Sequence, residues 1–311
     1  MKPFFSVLIS LYNKERFIKS TIESVLAQSF QDFEIIVVND GSTDGSETVV
    51  NSFSDQRIKY FKQENKGASA GRNAAISDAS GQYFALLDAD DLWQENYLET
   101  IHQLISSYPD HKVFSTAVTI ETANGEMRSV YSIKNITDGE VYTVDYFESS
   151  YINTLLTSSS TVVHPSVFEK AGTYDTSIKS GQDTDLWIRI GIHYKIVFIN
   201  LPLVTYRYGE ESLSNKIRRA VDKPKFDSYT ELEAVNPSMK KFIDLNRFSM
   251  AILSKLENDQ KSFKRFEKAI DYKNLNKKQQ FLLKQPVSVV RCFHFFKKRM
   301  QHLGIHLSAF K

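Results

Sequence analysis

Residues 4–12, "FFSVLISLY", are almost continuously apolar and rich in strand formers, and are too short for a typical helix, which predicts a buried β-strand. Residues 15–28 then change period: Phe17 and Ile18, Ile22, Val25 and Leu26 recur at helical spacing. A second buried strand, "FEIIVVND" (33–40), runs into the turn "DGSTDGS". The pattern continues with a helix over about 44–53, a short strand "RIKYF" (57–61) and the loop "KQENKGAS". The helix "SAGRNAAISDA" follows, then the strand "QYFALL", which ends abruptly in Asp88, Asp90 and Asp91. Strands and helices alternating over short connections predict an α/β fold, a doubly wound and mostly parallel sheet flanked by helices. Such sheets bind ligands at the carboxyl ends of their strands, where Asp40 and Asp88 both fall.

Residues 113–180 alternate less regularly. Within them "HPSVFEKAG" reads as a helix opened by a Ser166/Glu169 capping box and closed by Gly172. "QDTDLWIRIGI" (182–192) is a helix entered by acids, and "KIVFIN" and "LVTYRY" read as two further strands. Beyond about residue 215 the pattern turns helical and basic. This divides the chain into a catalytic-type region, 1–215, and a helical basic region, 216–311. At its end Val289, Phe293, Phe296, Met300, Leu303, Leu307 and Phe310 step by four and three, the stripe of one amphipathic helix. Gly304 interrupts that helix only weakly, at about 1 kcal/mol relative to Ala.

Composition changes the picture little; charge changes it more. The 311 residues are 41% apolar and 24% charged, which excludes wholesale disorder. No apolar run reaches the roughly 18 residues of a membrane-spanning helix. The N-terminus has a positive residue and an apolar stretch, but that stretch is brief, lacks a small-residue cleavage site and alternates like a strand, so a secretory signal is not expected. Cys292 is the only cysteine, so no intrachain disulfide forms and a cytoplasmic setting fits. The net charge of +2 conceals −10 over residues 1–210 and +12 over residues 211–311. Residues 286–311 contain no acid, while Lys297, Lys298 and Arg299 cluster there. That segment suits the inner face of an anionic membrane, as a peripheral contact, or packing on the rest of the chain or on a second copy. The basic region lacks a recognised nucleic-acid motif, so a nucleic-acid partner is discounted.

Three carboxylates within four residues repel one another unless a cation sits among them. In Asp88-Ala89-Asp90 the two outer side chains can reach one hard ion, Mg²⁺ or Mn²⁺, held jointly with substrate phosphates. The plainer alternative is a helix cap or a solvated rim. "NDGSTDGS" (39–46) offers Asp40 as an acceptor for a base or ribose edge, although an Asp-Gly turn is also an ordinary loop. "NKGASAGRN" (65–73) brings Lys66 and Arg72 to a helix start. In "SGQDTDLWIRI", Asp183 reads as a general base and Asp185 as a cap, both favoured by the helix dipole whatever their role. Trp93 and Trp187 each follow an acidic cluster, as sugar-stacking plates or as core.

"SVLISLYNKERFI", "EIIVVNDGSTDGS", "NKGASAGRN", "FALLDADDLW" and "GQDTDLWIRI", in this order over roughly residues 3–215, resemble the inverting family-2 glycosyltransferases of the GT-A fold. The resemblance implies that Ser10, Tyr12, Glu15, Asp40, Arg72 and Asp88 bind a nucleotide-diphosphate-sugar donor, with UDP the expected nucleotide. It implies that Asp88 and Asp90 hold Mg²⁺ or Mn²⁺ and that Asp183 is the base deprotonating an acceptor hydroxyl. Trp93, Gln182 and Trp187 are the expected acceptor contacts, and the acceptor is a glycan or lipid-linked glycan of the kind used in surface polysaccharide synthesis. Two departures stand out: Gln182 replaces the usual Glu before the base, and Gly209 stands where a metal-binding His is common, with Glu210 beside it as a substitute. They motivate an alternative, a catalytically weak nucleotide-sugar-binding or scaffold subunit. A nucleotidyltransferase is a poorer third.

Overall fold

The computed structural model describes residues 2–122, 125–207, 222–224, 226–302 and 308–310, without the side chains of Lys298, Gln301 and His302. Its first half alternates as the sequence pattern predicts: β1 (Phe5–Leu11), α1 (Glu15–Leu26), β2 (Phe33–Asp40), α2 (Ser46–Asn51), β3 (Ile58–Gln63), α3 (Ala68–Asp78) and β4 (Tyr83–Asp88). Along β1 and β2, successive side chains divide between two cores. Val7, Ile9, Ile35 and Val37 face one with Ile18, Ile22 and Val25 of α1, whereas Leu8, Ile36 and Val38 face the other with Ala75 of α3. A strand buried on both faces must be apolar at every position, which is why these strands read as runs rather than alternations.

The chain continues with β5 (Leu92–Trp93), α4 (Tyr97–Ser107), β6 (Val113–Thr122), β7 (Gly125–Arg128), β8 (Val141–Val144), α5 (Tyr146–Ser149), β9 (Thr161–Val163), α6 (Ser166–Ala171), α7 (Gln182–His193) and β10 (Ile196–Arg207). All ten strands form one sheet, ordered β3-β2-β1-β4-β9-β6-β10-β5, with β7 on β6 and β8 on β10. β3, β2, β1 and β4 run parallel; β9 then enters antiparallel between β4 and β6, so the sheet is mixed beyond its first four strands.

Two local expectations are corrected. "KIVFIN" and "LVTYRY" are one strand, β10, whose register on β6 shifts twice around Pro202. Its side chain and missing N–H distort the ladder without ending it. The Ser166/Glu169 capping box does not form. Pro165 is the N-cap, Ser166 lies inside α6, and the Ser166 N–H donates to Nδ1 of His164 at 3.3 Å. Gly172 does close that helix, at φ +72°.

Past residue 226 the chain forms α8 (Thr230–Val235), α9 (Pro237–Leu256), α10 (Gln260–Ala269), α11 (Lys277–Lys284) and α12 (Val287–His302). The expected boundary near 215 falls outside the described residues. The start of α9 is continuous with the sheet's second core, through Met239, Phe242 and Ile243, while its later part joins α10 and α11 in a separate cluster. A buried ionic cluster pins these helices: Arg247 grips both oxygens of Glu233 at 2.5 and 2.7 Å, and Asp244 accepts from the Asp271 N–H and from Asn274.

The C-terminal stripe is also revised. α12 buries Val290 and leaves Phe293 and Phe296 about half exposed, at 47% and 52%. Leu303, Gly304 and Leu307 lie outside the described residues, and Phe310 is not on that helix but packs edge-on against Phe248 of α9. No helix among the described residues is long and apolar enough to cross a membrane.

Candidate active site

The strand-end loops of β1 and β2 are stitched together. The Asn13 Oδ1 accepts from the Thr43 N–H at 2.7 Å, the Lys14 N–H donates to Ser46 at 2.9 Å, and the Glu15 carboxylate accepts from the Gly45 N–H at 3.0 Å. Glu15 therefore secures a loop at the mouth of the strand ends. Asp40 is buried, and its oxygens accept from Gln63 and from the N–H groups of Lys66 and Gly67 at 2.6–2.9 Å. It ties the loop before α3 to the end of β2. Tyr12 projects beside this loop pair, 47% exposed. Ser10 lines a narrow crevice with Arg72, Asp88 and Ser158, between the ends of β1 and β4.

None of the three acids after β4 caps α4, whose N-cap is Asn96. They divide the work. Asp91 is buried behind the turn, where it accepts from Ser159 and, at 3.1 Å, from the Arg207 N–H. Burial pushes its carboxyl up, the charges of Asp88 and Asp90 add to that, and the two hydrogen bonds oppose it. The Arg207 guanidinium caps the Asp90 carbonyl and reaches Ser20 and Thr21 of α1 at 3.0 and 3.2 Å. Asp88 and Asp90 are left at the mouth, each partly exposed and each paired with one cation: Asp88 with Arg72 at 2.7 Å, Asp90 with the Lys14 ammonium.

Arg72 is the junction of the site. Its Nη2 donates to Asp88, its Nη1 lies 3.6 Å from Asp183 without a hydrogen-bond partner, and its plane lies over Tyr174, 5.3 Å from the ring centre. Burial disfavours the charge, but Asp183 and Asp88 more than compensate and keep the guanidinium ionised. Asp183 opens α7 after Gly181, whose φ of +82° is left-handed and suits glycine. Its Oδ1 accepts from Ser158 at 3.1 Å. Burial raises the Asp183 carboxyl above the usual carboxylate range; Arg72 opposes this, the Asp88 charge adds to it, and the Ser158 bond opposes it. A carboxylate raised in this way, a third exposed and bonded to Ser158 of the crevice wall, is chemically suited to accept a proton.

The remaining expectations do not gather here. Trp93 and Trp187 are buried in the two cores; Trp93 stacks on Tyr97 at 4.2 Å and donates to the Ser159 carbonyl. They are packing, not sugar plates, because strand and helix periodicity turns both inward. Gln182 is buried too, its Oε1 without a partner among the described residues. Asp185 is not a cap: it pairs with Arg189 one turn on and accepts from the Tyr229 hydroxyl at 2.8 Å. Gly209 and Glu210 lie outside the described residues. Lys14, Ser158, Ser159, Tyr174 and Arg207 were not anticipated. Their only sequence signal is position, Lys14 directly after "YN" and Arg207 at the end of a strand.

As for a metal, Asp88 and Asp90 offer hard oxygen donors on one turn, each with one cationic partner among the described residues, and this fits a divalent ion completed by phosphate oxygens and water. No group of three or more His, Cys, Asp or Glu side chains converges among the described residues. The larger cavity, about 210 Å³, lies beside this site: it begins at Thr184, next to Asp183, and is lined by Tyr146, Tyr151, Phe242, Asn246 and Phe310.

Comparison with known proteins gives the family and the fold. Residues 6–168 match the family described as glycosyl transferase family 2. The chain is 33% identical over 217 residues to the uncharacterized glycosyltransferase RT0329 of Rickettsia typhi, covering 68% of this chain and 66% of that protein. It is 30% identical over 217 residues to the glycosyltransferase GlyA of Streptococcus pneumoniae, covering 67% of this chain and 31% of GlyA. Among solved structures it is similar to S. aureus TarS in complex with UDP, with a TM-score of 0.59 at 19% identity over 86% of this chain and 91% of that one. The likeness to TarS in complex with UDP-GlcNAc has a TM-score of 0.60, again at 19% identity, over 88% of this chain and 93% of that one.

Proposed function

Because the chain belongs to glycosyl transferase family 2, we propose that it transfers a sugar, with inversion, from a nucleotide-diphosphate-sugar to a hydroxyl of a glycan or lipid-linked glycan. The observation that carries this is the Arg72 junction: one guanidinium joins Asp88, at the end of β4, to Asp183, at the start of α7. Donor and acceptor machinery thus meet across a single side chain. UDP is the expected nucleotide, a choice supported by the TarS complexes.

Ser10, Tyr12 and the loop fixed by Asp40 and Glu15 receive the nucleoside, and Arg72 steadies the negative charge of the donor. Asp88 and Asp90 would hold Mg²⁺ or Mn²⁺, which when bound supplies positive charge to the departing diphosphate. Asp183 takes the proton from the acceptor oxygen as that oxygen attacks the anomeric carbon from the face opposite the leaving group. The unpartnered amide oxygen of Gln182 is available to an acceptor hydroxyl, and the cavity beside Thr184 has the mixed aromatic and hydroxyl lining that suits a sugar.

The lipid-linked form of the acceptor is favoured by α12. Phe293, Phe295 and Phe296 stand 47–66% exposed beside Lys297 and Arg299, an arrangement that suits the surface of an anionic membrane.

Asp183→Asn tests the assignment. Transfer should fall by about 10²–10⁴-fold, while UDP binding by calorimetry stays within twofold. Undiminished transfer would remove Asp183 as the base; UDP binding without transfer in the wild type would point to the scaffold alternative.

A further inference from the structure

Lys14 has no place in the machinery described so far, although its ammonium sits on a carboxylate at the mouth of the site. Its backbone is fixed: the N–H donates to Ser46 at 2.9 Å, and the preceding Asn13 is held in a left-handed conformation, φ +50°, by its own bonds to the β2 loop. The side chain passes over Phe17, with Nζ 5.7 Å from the ring centre, and ends on Asp90. Both partners are 21% exposed, so the pair is neither solvent-screened like a surface bridge nor locked in like a core one.

Asp88 has the same kind of partner in Arg72, but the two cations differ in what they can do. Arg72 is held on three sides, by Asp88, Asp183 and Tyr174, so it stays where it is if one partner is lost. Lys14 has a single acidic partner among the described contacts, on a flexible four-carbon stem anchored at its base. Asp90, in turn, has its backbone carbonyl fixed by Arg207 and only its side chain engaged by Lys14. The geometry makes one ion pair fixed and the other exchangeable.

We propose that Lys14 is an exchangeable cation. It neutralises Asp90 in the donor-free protein, yields that carboxylate to a divalent ion, and then turns its freed ammonium to the diphosphate in the same crevice. The proposal rests on the donor-site assignment above and adds a residue that sets both metal affinity and the order of binding. Lys14 lowers the affinity of the empty site for metal, because the ion must displace an ammonium. It raises the affinity for nucleotide once metal is present, because that ammonium gains a phosphate partner.

The test measures binding, not turnover. Free Mn²⁺ is followed by electron paramagnetic resonance, without nucleotide, in the wild type, Lys14→Met and Lys14→Arg. Lys14→Met should bind Mn²⁺ about threefold or more tightly than the wild type, the scale of a lost ion-pair competitor, and Lys14→Arg should stay close to the wild type. With saturating Mn²⁺, UDP measured by calorimetry should bind at least roughly fivefold more weakly to Lys14→Met. Unchanged or weaker Mn²⁺ binding in Lys14→Met, or no Mn²⁺ binding to either protein, overturns the proposal. If UDP still binds the wild type in that case, the donor-site assignment survives; if UDP fails to bind the wild type at all, it falls as well.

Discussion

At the scale of single residues, the site is governed by how a few carboxylates share very few cations. Ser158 donates to the Asp183 oxygen nearest Arg72, and that hydrogen bond favours the charged form. Removing it should push the Asp183 carboxyl still higher. Since the base must be ionised to work, the rate rises with pH through that pKa, and a higher pKa moves the acid limb toward neutrality. Ser158→Ala should therefore shift the acid limb of kcat/KM upward by about half a unit to one unit, with the plateau largely kept. A pH profile in which the limb stays put would mean that it belongs to another group. The acids Asp40, Asp88, Asp90 and Asp183 were legible in the sequence because each sits where an apolar run ends or a helix begins. Lys14, Ser158 and Arg207 were not, because an isolated cation or hydroxyl looks like ordinary surface until the fold closes on it. The tryptophans were legible only as aromatic. Whether an indole faces a ligand or a core depends on phase within its element, and both are in the buried phase.

At the scale of elements, the close approach of α3 to β1 sets the depth of the donor crevice. A Cβ at Gly71 would overlap the Ser10 hydroxyl and lie 3.5 Å from the Asp40 Cβ, so the helix reaches the strand only because position 71 has no side chain. Gly71→Ala should cost about 1–3 kcal/mol of stability, as overpacking does, and weaken UDP binding by at least tenfold. Thermal unfolding and calorimetry read the two effects separately; undiminished UDP affinity would show that this contact lies outside the donor site. Elements with local causes were predictable. The four parallel strands and their helices follow from runs, periods and turns that a short window contains. The insertion of β9 between β4 and β6 was not, nor was the fusion of two apolar pieces into β10, because each depends on a partner far along the chain. The lost capping box has a local cause: His164, directly after β9, accepts the Ser166 N–H that the Glu169 side chain would take in the box.

At the scale of the whole molecule, negative and positive charge lie toward opposite ends of the chain. The acidic first part holds the crevice, and the basic end carries Phe281, Phe293, Phe295 and Phe296 in the open. Phe293→Ser with Phe295→Ser and Phe296→Ser should leave folding intact, since these rings bury little. It should abolish sedimentation with phosphatidylserine vesicles, while phosphatidylcholine vesicles capture neither protein. Equal capture of variant and wild type by anionic vesicles would remove the membrane from the account. One further consequence follows from Arg207. It ends β10 and binds the Asp90 carbonyl, Ser20 and Thr21 through its side chain and Asp91 through its N–H. The turn that carries Asp88 and Asp90 is thereby secured from behind. Because Arg207 grips a backbone carbonyl and Asp91 rather than the two exposed carboxylates, a substitution at Asp88 or Asp90 changes what the turn can bind without changing how it is held.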